Sequence, residues 1–179
     1  MKKMDKRKLF CIINVFLIFG FGFITHNVYK WFPSLITTIF PVNESLYEHL
    51  KMIFITPLIA STILFIIFKI KKIKINNYLL GLFCSTISSI IIFYIFYLPL
   101  YSMFGEIMIV TLSVYLLSII LSQIINYYLI KSENNSFLNI MSFIMIIISM
   151  IILLYFTYNP IRVEFFRDPI ENIYGLNKK

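Results

Sequence analysis

Charge is what this chain has least of: 13% of its 179 residues are charged against 60% hydrophobic, and the mean hydropathy is +0.88. Soluble domains hold roughly 45–50% apolar and about 25% charged residues, so a water-soluble fold of this length is excluded. Cysteine is almost missing as well. Cys11 and Cys84 are the only two, both in apolar segments assigned to the cytoplasmic side, which excludes a disulfide scaffold and leaves each as a small hydrophobe. Cys11 precedes the bulk of the first apolar run, which argues against a lipidated signal. That run, about 20 residues long with no small-residue cleavage site after it, reads as a retained anchor. With five glycines, the chain has no Gly-rich phosphate loop, and it lacks both G-x-S-x-G and C-x-x-C. Soluble-enzyme chemistry is not indicated.

What remains is mostly long runs of Ile, Leu and Phe. In hydrocarbon every backbone N–H and C=O needs an internal partner, so such runs are helices or closed barrels. Barrel strands alternate polar and apolar residues over about ten positions, and these runs do not. The net charge of +8 is a matter of topology rather than of nucleic acid. Lys2, Lys3, Lys6, Arg7 and Lys8 precede the first run and Lys69, Lys71, Lys72 and Lys74 follow the second, and basic residues at span ends are retained in the cytoplasm.

The sequence therefore predicts an all-α integral membrane bundle of about five transmembrane helices, over about 9–29, 52–68, 78–98, 106–130 and 137–158. Pro57 is expected to kink the second span, and the third is expected to end at Pro99. A short interfacial helix is expected over Trp31–Phe40, with Trp31, Phe32, Leu35, Ile36, Ile39 and Phe40 on one side and Ser34, Thr37 and Thr38 on the other. Short connections make consecutive spans antiparallel neighbours in one domain covering 1–179. The location is the plasma membrane, with a cytoplasmic N-terminus and an extracytoplasmic C-terminus. Basic residues number five, four and one on the cytoplasmic segments and two, none and four on the outer ones. The four in the tail leave open a four-span arrangement whose last helix lies in the interface. Inside the spans, Ser85, Ser88 and Ser89, and then Ser118, Ser122 and Asn126 at i, i+4, i+8, suit close helix packing, with a polar substrate path as the alternative.

Of eight acidic residues, six (Glu44, Glu48, Glu106, Glu164, Asp168 and Glu171) fall on the outer side, as do both histidines, His26 and His49. The densest group is Pro41–Lys51. Read as a helix, it sets Asn43, Glu44, Tyr47, Glu48 and Lys51 on one arc, with Glu44 above Glu48 and His49 turned about 100° away toward the end of the first span, where His26 sits. Ser45-x-x-Glu48 also fits a capping box, and Lys51 can pair with Glu48, so part of the segment is explained by helix initiation alone. His26 and His49 with Glu44 or Glu48 supply the ligand types of a three-residue zinc site with one position left for water, although the spacing is unlike H-E-x-x-H. The same groups are also suited to general acid and base work. Glu106, at the outer rim of the fourth span, and Asp168, in a turn with Arg167 as its expected ion partner, complete the binding candidates.

The run Pro41-Val42-Asn43-Glu44-Ser45 followed by Glu48-His49 and Lys51 resembles the P-V-N-E-S-x-W-E-H-x-K signature of a group of small bacterial multi-pass membrane proteins classed as a domain of unknown function. Tyr47 stands where tryptophan is usual and keeps an amphipathic aromatic there. His26 with Tyr29 is similar to that group's H-x-x-Y, and Phe166-Arg167-Asp168-Pro169 through Tyr174-Gly175 to its tail. The resemblance carries no activity. It implies that Asn43, Glu44, Glu48, His49 and His26 belong together. Three functional readings follow: a binding or transport-related protein of the lipid bilayer, with no nucleic-acid partner; an outer-leaflet hydrolase or transferase using His/Glu acid–base or metal chemistry; and a structural or accessory subunit.

Overall fold

The computed structural model describes residues 5–105 and 107–176. Five long α-helices follow one another among them: α1 Lys6–Trp31, α2 Leu46–Ile70, α3 Tyr78–Phe104, α4 Met108–Lys131 and α5 Ser136–Tyr158. No strand forms among the described residues beyond one isolated antiparallel bridge, Arg167 with Tyr174. Each helix has 23 to 27 residues, long enough at about 1.5 Å per residue to cross a hydrocarbon core of about 30 Å. All five are apolar enough to do so. Glu106 lies outside the described residues.

Helix starts are written in the sequence. Asp5, Ser45 and Asn135 each accept a hydrogen bond from a backbone N–H of the first turn, at 2.9, 3.3 and 3.0 Å. Helix ends follow backbone chemistry less simply. The third helix does not stop at Pro99 but runs through it to Phe104, and Gly105 closes it with φ +71° and a bond from its N–H to the Tyr101 carbonyl. Proline removes one intrahelical bond, and the buried Tyr97 ring holds this end of the helix in the core. The expected interfacial helix shrinks to a single 3-10 turn, Ile36–Ile39, because α1 continues through Trp31 and Pro33 interrupts the chain. Thr37 Oγ1 accepts from Ser34 N at 2.9 Å and donates to the Phe32 carbonyl at 2.7 Å, local bonds that compete with helix formation.

The helices pack through short connections. The most extensive packing is α3 with α4; α1 lies against α2 and α4, and α2 also against α3. The fifth helix packs against α3 rather than against its predecessor α4, so the expected pairing of consecutive spans fails for the last two. Gly81 lets α4 approach so closely that a Cβ there would strike Asn126 and Ile130, and Ser89 meets Ser118 hydroxyl to hydroxyl at 3.1 Å. Ser118, Ser122 and Asn126 are all buried, the placement expected of small residues that join helices in lipid. One apolar core gathers Ile18, Ile53, Phe93, Tyr115 and Ile119, and a second joins Tyr47, Phe54, Leu82, Leu153 and Phe166. A polar knot joins α1, α2 and α4: Asn14 donates to Ser61 at 2.8 Å and to Gln123 at 3.1 Å, and Asn126 donates to Gln123 at 2.9 Å.

The two ends of the bundle differ in chemistry. At one end Tyr127 donates to Asp5 at 3.1 Å and Asn77 joins the α2–α3 and α4–α5 turns through Ser132 and Glu133. Lys6, Arg7, Lys72 and Lys74 line a groove at this end. At the other end lie His26, Glu44, His49 and the residues after α5.

Candidate functional site

Three segments build the second end. The last turns of α1 carry His26 and Lys30, the link Pro41–Ser45 precedes α2, and the tail from 159 onward folds back over both. Ser45 is extended, φ −68° and ψ 154°, so Asn43 and Glu44 stand outside the helix and not on the arc expected for them. Asn43 is spent on structure: its Oδ1 accepts from Ser45 N at 2.9 Å and its Nδ2 donates to the Gly175 carbonyl at 3.0 Å. Asp168 fixes the next residue by accepting from Glu44 N at 2.9 Å, while its other oxygen accepts from the N–H groups of Ile170 and Glu171 at 2.7 and 3.0 Å. Arg167 does not pair with Asp168. It lies 3.2 Å from Glu164 and donates to Asn172, because the Asp168 carboxylate is already filled by backbone donors.

With its backbone so held, Glu44 extends its carboxylate toward α1 and the first turn of α2. One oxygen, Oε1, accepts from Lys30. The other, Oε2, lies 3.2 Å from His26 Nε2 and 3.8 Å from His49 Nε2. The two imidazole rings are 5.5 Å apart, centre to centre, and tilted by 31°. The His26 imidazole beside it, with Lys30 adding to the effect against the penalty of partial burial, holds the Glu44 carboxyl far below the usual range, at about 2. All three side chains are partly shielded from solvent.

Glu48 goes the other way. Its Oε2 is 2.6 Å from Lys51 Nζ and accepts from Val42 N at 3.1 Å, and its Oε1 accepts from Thr157 Oγ1 at 3.2 Å. The Lys51 ammonium also donates to the Thr38 carbonyl at 2.9 Å and to Thr157 Oγ1 at 2.8 Å. Both charged groups are only 1% exposed, and the capping box is half formed, since Ser45 caps Glu48 N while the Glu48 carboxylate reaches past Ser45 to Val42. Tyr47 is likewise internal: its hydroxyl donates to the Leu153 carbonyl at 2.5 Å and its ring stacks on Phe166 at 4.5 Å. Of the two carboxylates suited to a zinc set, the structure brings Glu44 to the histidines and turns Glu48 away. Asn43, Tyr47, Lys51 and Asp168 frame the cluster without facing it.

The cluster borders a cavity of about 490 Å³ bounded by α1, α2, α3 and α4. Its walls are mainly apolar, with Phe19, Phe23, Met52, Phe93 and Leu112 among them, and its polar end is His26, Glu44 and His49. Gly22 opens the α1 wall, where a Cβ would come within 3.0 Å of the Tyr115 ring. The Tyr115 ring forms part of the wall and its hydroxyl is buried. A volume of this size falls in the range of small-molecule sites.

Several participants escape a reading of the sequence alone. Lys30 carries weight there only as a topological charge, and Thr157 is one hydroxyl in the otherwise apolar α5. Asn14 and Gln123 carry a legible signal, since an amide inside an apolar span needs an interhelical partner.

No curated protein and no solved structure matches this chain. A family model described as a family of unknown function, DUF6512, matches residues 1–176. An all-α chain with five helices able to cross a membrane, and with an ionisable cluster at one end of an apolar cavity, this protein belongs to the DUF6512 family of unknown function.

Proposed function

We propose that this chain is a bacterial plasma-membrane protein, one transmembrane domain of five spans with its N-terminus in the cytoplasm and its C-terminus outside, that binds an amphiphile at its extracytoplasmic end. The apolar part of the amphiphile occupies the α1–α4 cavity and its polar group meets His26, Glu44 and His49. The orientation is supported by the basic residues at the opposite end of the bundle, because lysine and arginine beside spans stay in the cytoplasm. The observation that carries the binding reading is the continuity of the cavity, whose mainly apolar walls end in charged and imidazole groups. A helix-capping role alone leaves that volume unexplained, because capping engages Ser45 and not Glu44 or the histidines. The second reading, an outer-leaflet hydrolase or transferase, is favoured by the convergence of two imidazoles and a carboxylate on that same volume.

The test is photolabelling of the reconstituted protein with a phospholipid bearing a diazirine on its acyl chain. Labelled peptides are expected from α1 and α4 around Phe23 and Leu112, with labelling lost in Leu112→Trp, which fills the cavity. Labelling spread evenly over the exposed face of α5, around Ile147 and Ile151, and unchanged in Leu112→Trp, refutes the reading.

A further inference from the structure

His26, Glu44 and His49 come from three different segments, yet one donor atom from each falls within 4.8 Å of the other two. At metal bonds of about 2.0–2.1 Å, the donors of a tetrahedral site stand about 3.3 Å apart. Glu44 Oε2 already lies 3.2 Å from one imidazole nitrogen and 3.8 Å from the other, so the carboxylate is the shared corner and the two imidazoles need only close on each other. Lys30 holds the second carboxylate oxygen, which orients the first toward the histidines. Asp168 holds the Glu44 backbone, so the corner is braced from both sides. The fourth side faces the mainly apolar cavity, which all three side chains line.

We propose that His26 Nε2, His49 Nε2 and Glu44 Oε2 bind one divalent transition-metal ion of the zinc class, with the fourth position open to the α1–α4 cavity. Two imidazoles and one carboxylate suit zinc-like ions, whereas calcium and magnesium take oxygen donors. The carboxylate and Lys30 cancel in charge, so a bound dication leaves the site positive and an anionic oxygen, phosphate or carboxylate, completes the coordination. That last step rests on the amphiphile reading above; the metal site does not.

The experiment uses the tag-free, full-length protein in detergent, stripped with chelator and then dialysed against Zn²⁺ or Co²⁺. One zinc per chain is expected, with the intense visible bands of four-coordinate cobalt. Removing an outer partner of a metal ligand typically costs about 10–100-fold in affinity, so His26→Gln, His49→Gln and Glu44→Gln are each expected to lose more than that. Lys30→Met keeps all three donors but removes the group that orients Glu44, so it is expected to weaken zinc by about 10–100-fold, whereas Glu164→Gln, an exposed acid of the tail, binds as the parent does. Should one ligand variant fail to fold, judged by size exclusion, the cobalt spectrum of the parent protein still decides: substoichiometric metal, or weak bands of a six-coordinate ion, overturns the proposal. So does binding that survives all three ligand substitutions. Dodecyl phosphate added to the cobalt form is expected to shift the bands. Metal without acyl-chain photolabelling removes the amphiphile and keeps the metal; photolabelling without metal does the reverse.

Discussion

Glu44 and Glu48 are four residues apart, and their carboxylates point to opposite sides of the link between α1 and α2, one to His26 and Lys30 and the other to Lys51 and Thr157. The divergence comes from Ser45, whose extended backbone ends the link and starts the helix. One acid is left at a cavity mouth. The other becomes part of the frame.

The frame acid is expected to behave as half of a buried ion pair. Glu48→Gln or Lys51→Met alone leaves an unpaired charge with 1% exposure, a loss of about 3–5 kcal/mol. The double substitution removes both charges and restores most of that stability. Thermal unfolding in detergent reads the difference, and single variants as mild as the double contradict the assignment.

Tyr47 divides structure from site in another way. Tyr47→Phe loses the bond to the Leu153 carbonyl but keeps the stacking on Phe166, a cost of about 1 kcal/mol. Tyr47→Ala empties a core position and costs about 3–5 kcal/mol. Zinc stoichiometry in Tyr47→Phe is expected to equal that of the parent; its loss would move Tyr47 into the site.

Gly175 sits at φ +52°, and a Cβ there would collide with the Thr157 carbonyl oxygen and crowd Pro160. Gly175→Ala is therefore expected to destabilise the tail by about 1–3 kcal/mol and to loosen the bond from Asn43 to the Gly175 carbonyl. Limited trypsin digestion follows this directly, with faster cleavage after Arg167 than in the parent. Equal rates mean the tail is held elsewhere.

Orientation is open to cysteine labelling in a Cys11→Ala, Cys84→Ala background. Ser34→Cys and Glu171→Cys, both exposed, are expected to react with an impermeant maleimide on intact cells, and Lys72→Cys only after permeabilisation. The opposite pattern inverts the protein in the membrane and puts the cluster in the cytoplasm.

The five helices were legible because apolar run length is a one-dimensional property, and it marked α1, α4 and α5 to within a few residues. It fared worse where a polar stretch is itself helical. Leu46–Lys51 lies inside α2, yet its Glu, His and Lys residues keep it out of the expected second span, which begins at about 52. The Ser45-x-x-Glu48 pattern held the correct helix start, and taking it at full strength would have placed Glu44 off the helix. That His49 turns from Glu48 toward His26 followed from helix geometry and is seen in the ring separation of 5.5 Å. The pairings of Lys51 with Thr157 and of Asp168 with Glu44 N span more than a hundred residues. No periodicity encodes such contacts; they arise where helix ends and the returning tail meet.

The bonds from Asp168 to Glu44 and from Asn43 to Gly175 also set an order of assembly. Residues just before the second helix receive their braces from partners 124 and 132 positions later in the chain, so the histidine–carboxylate corner is completed only once the segment beyond the fifth helix has been made. A chain cut before residue 168 keeps the sequence of all five helices and lacks both braces of the centre.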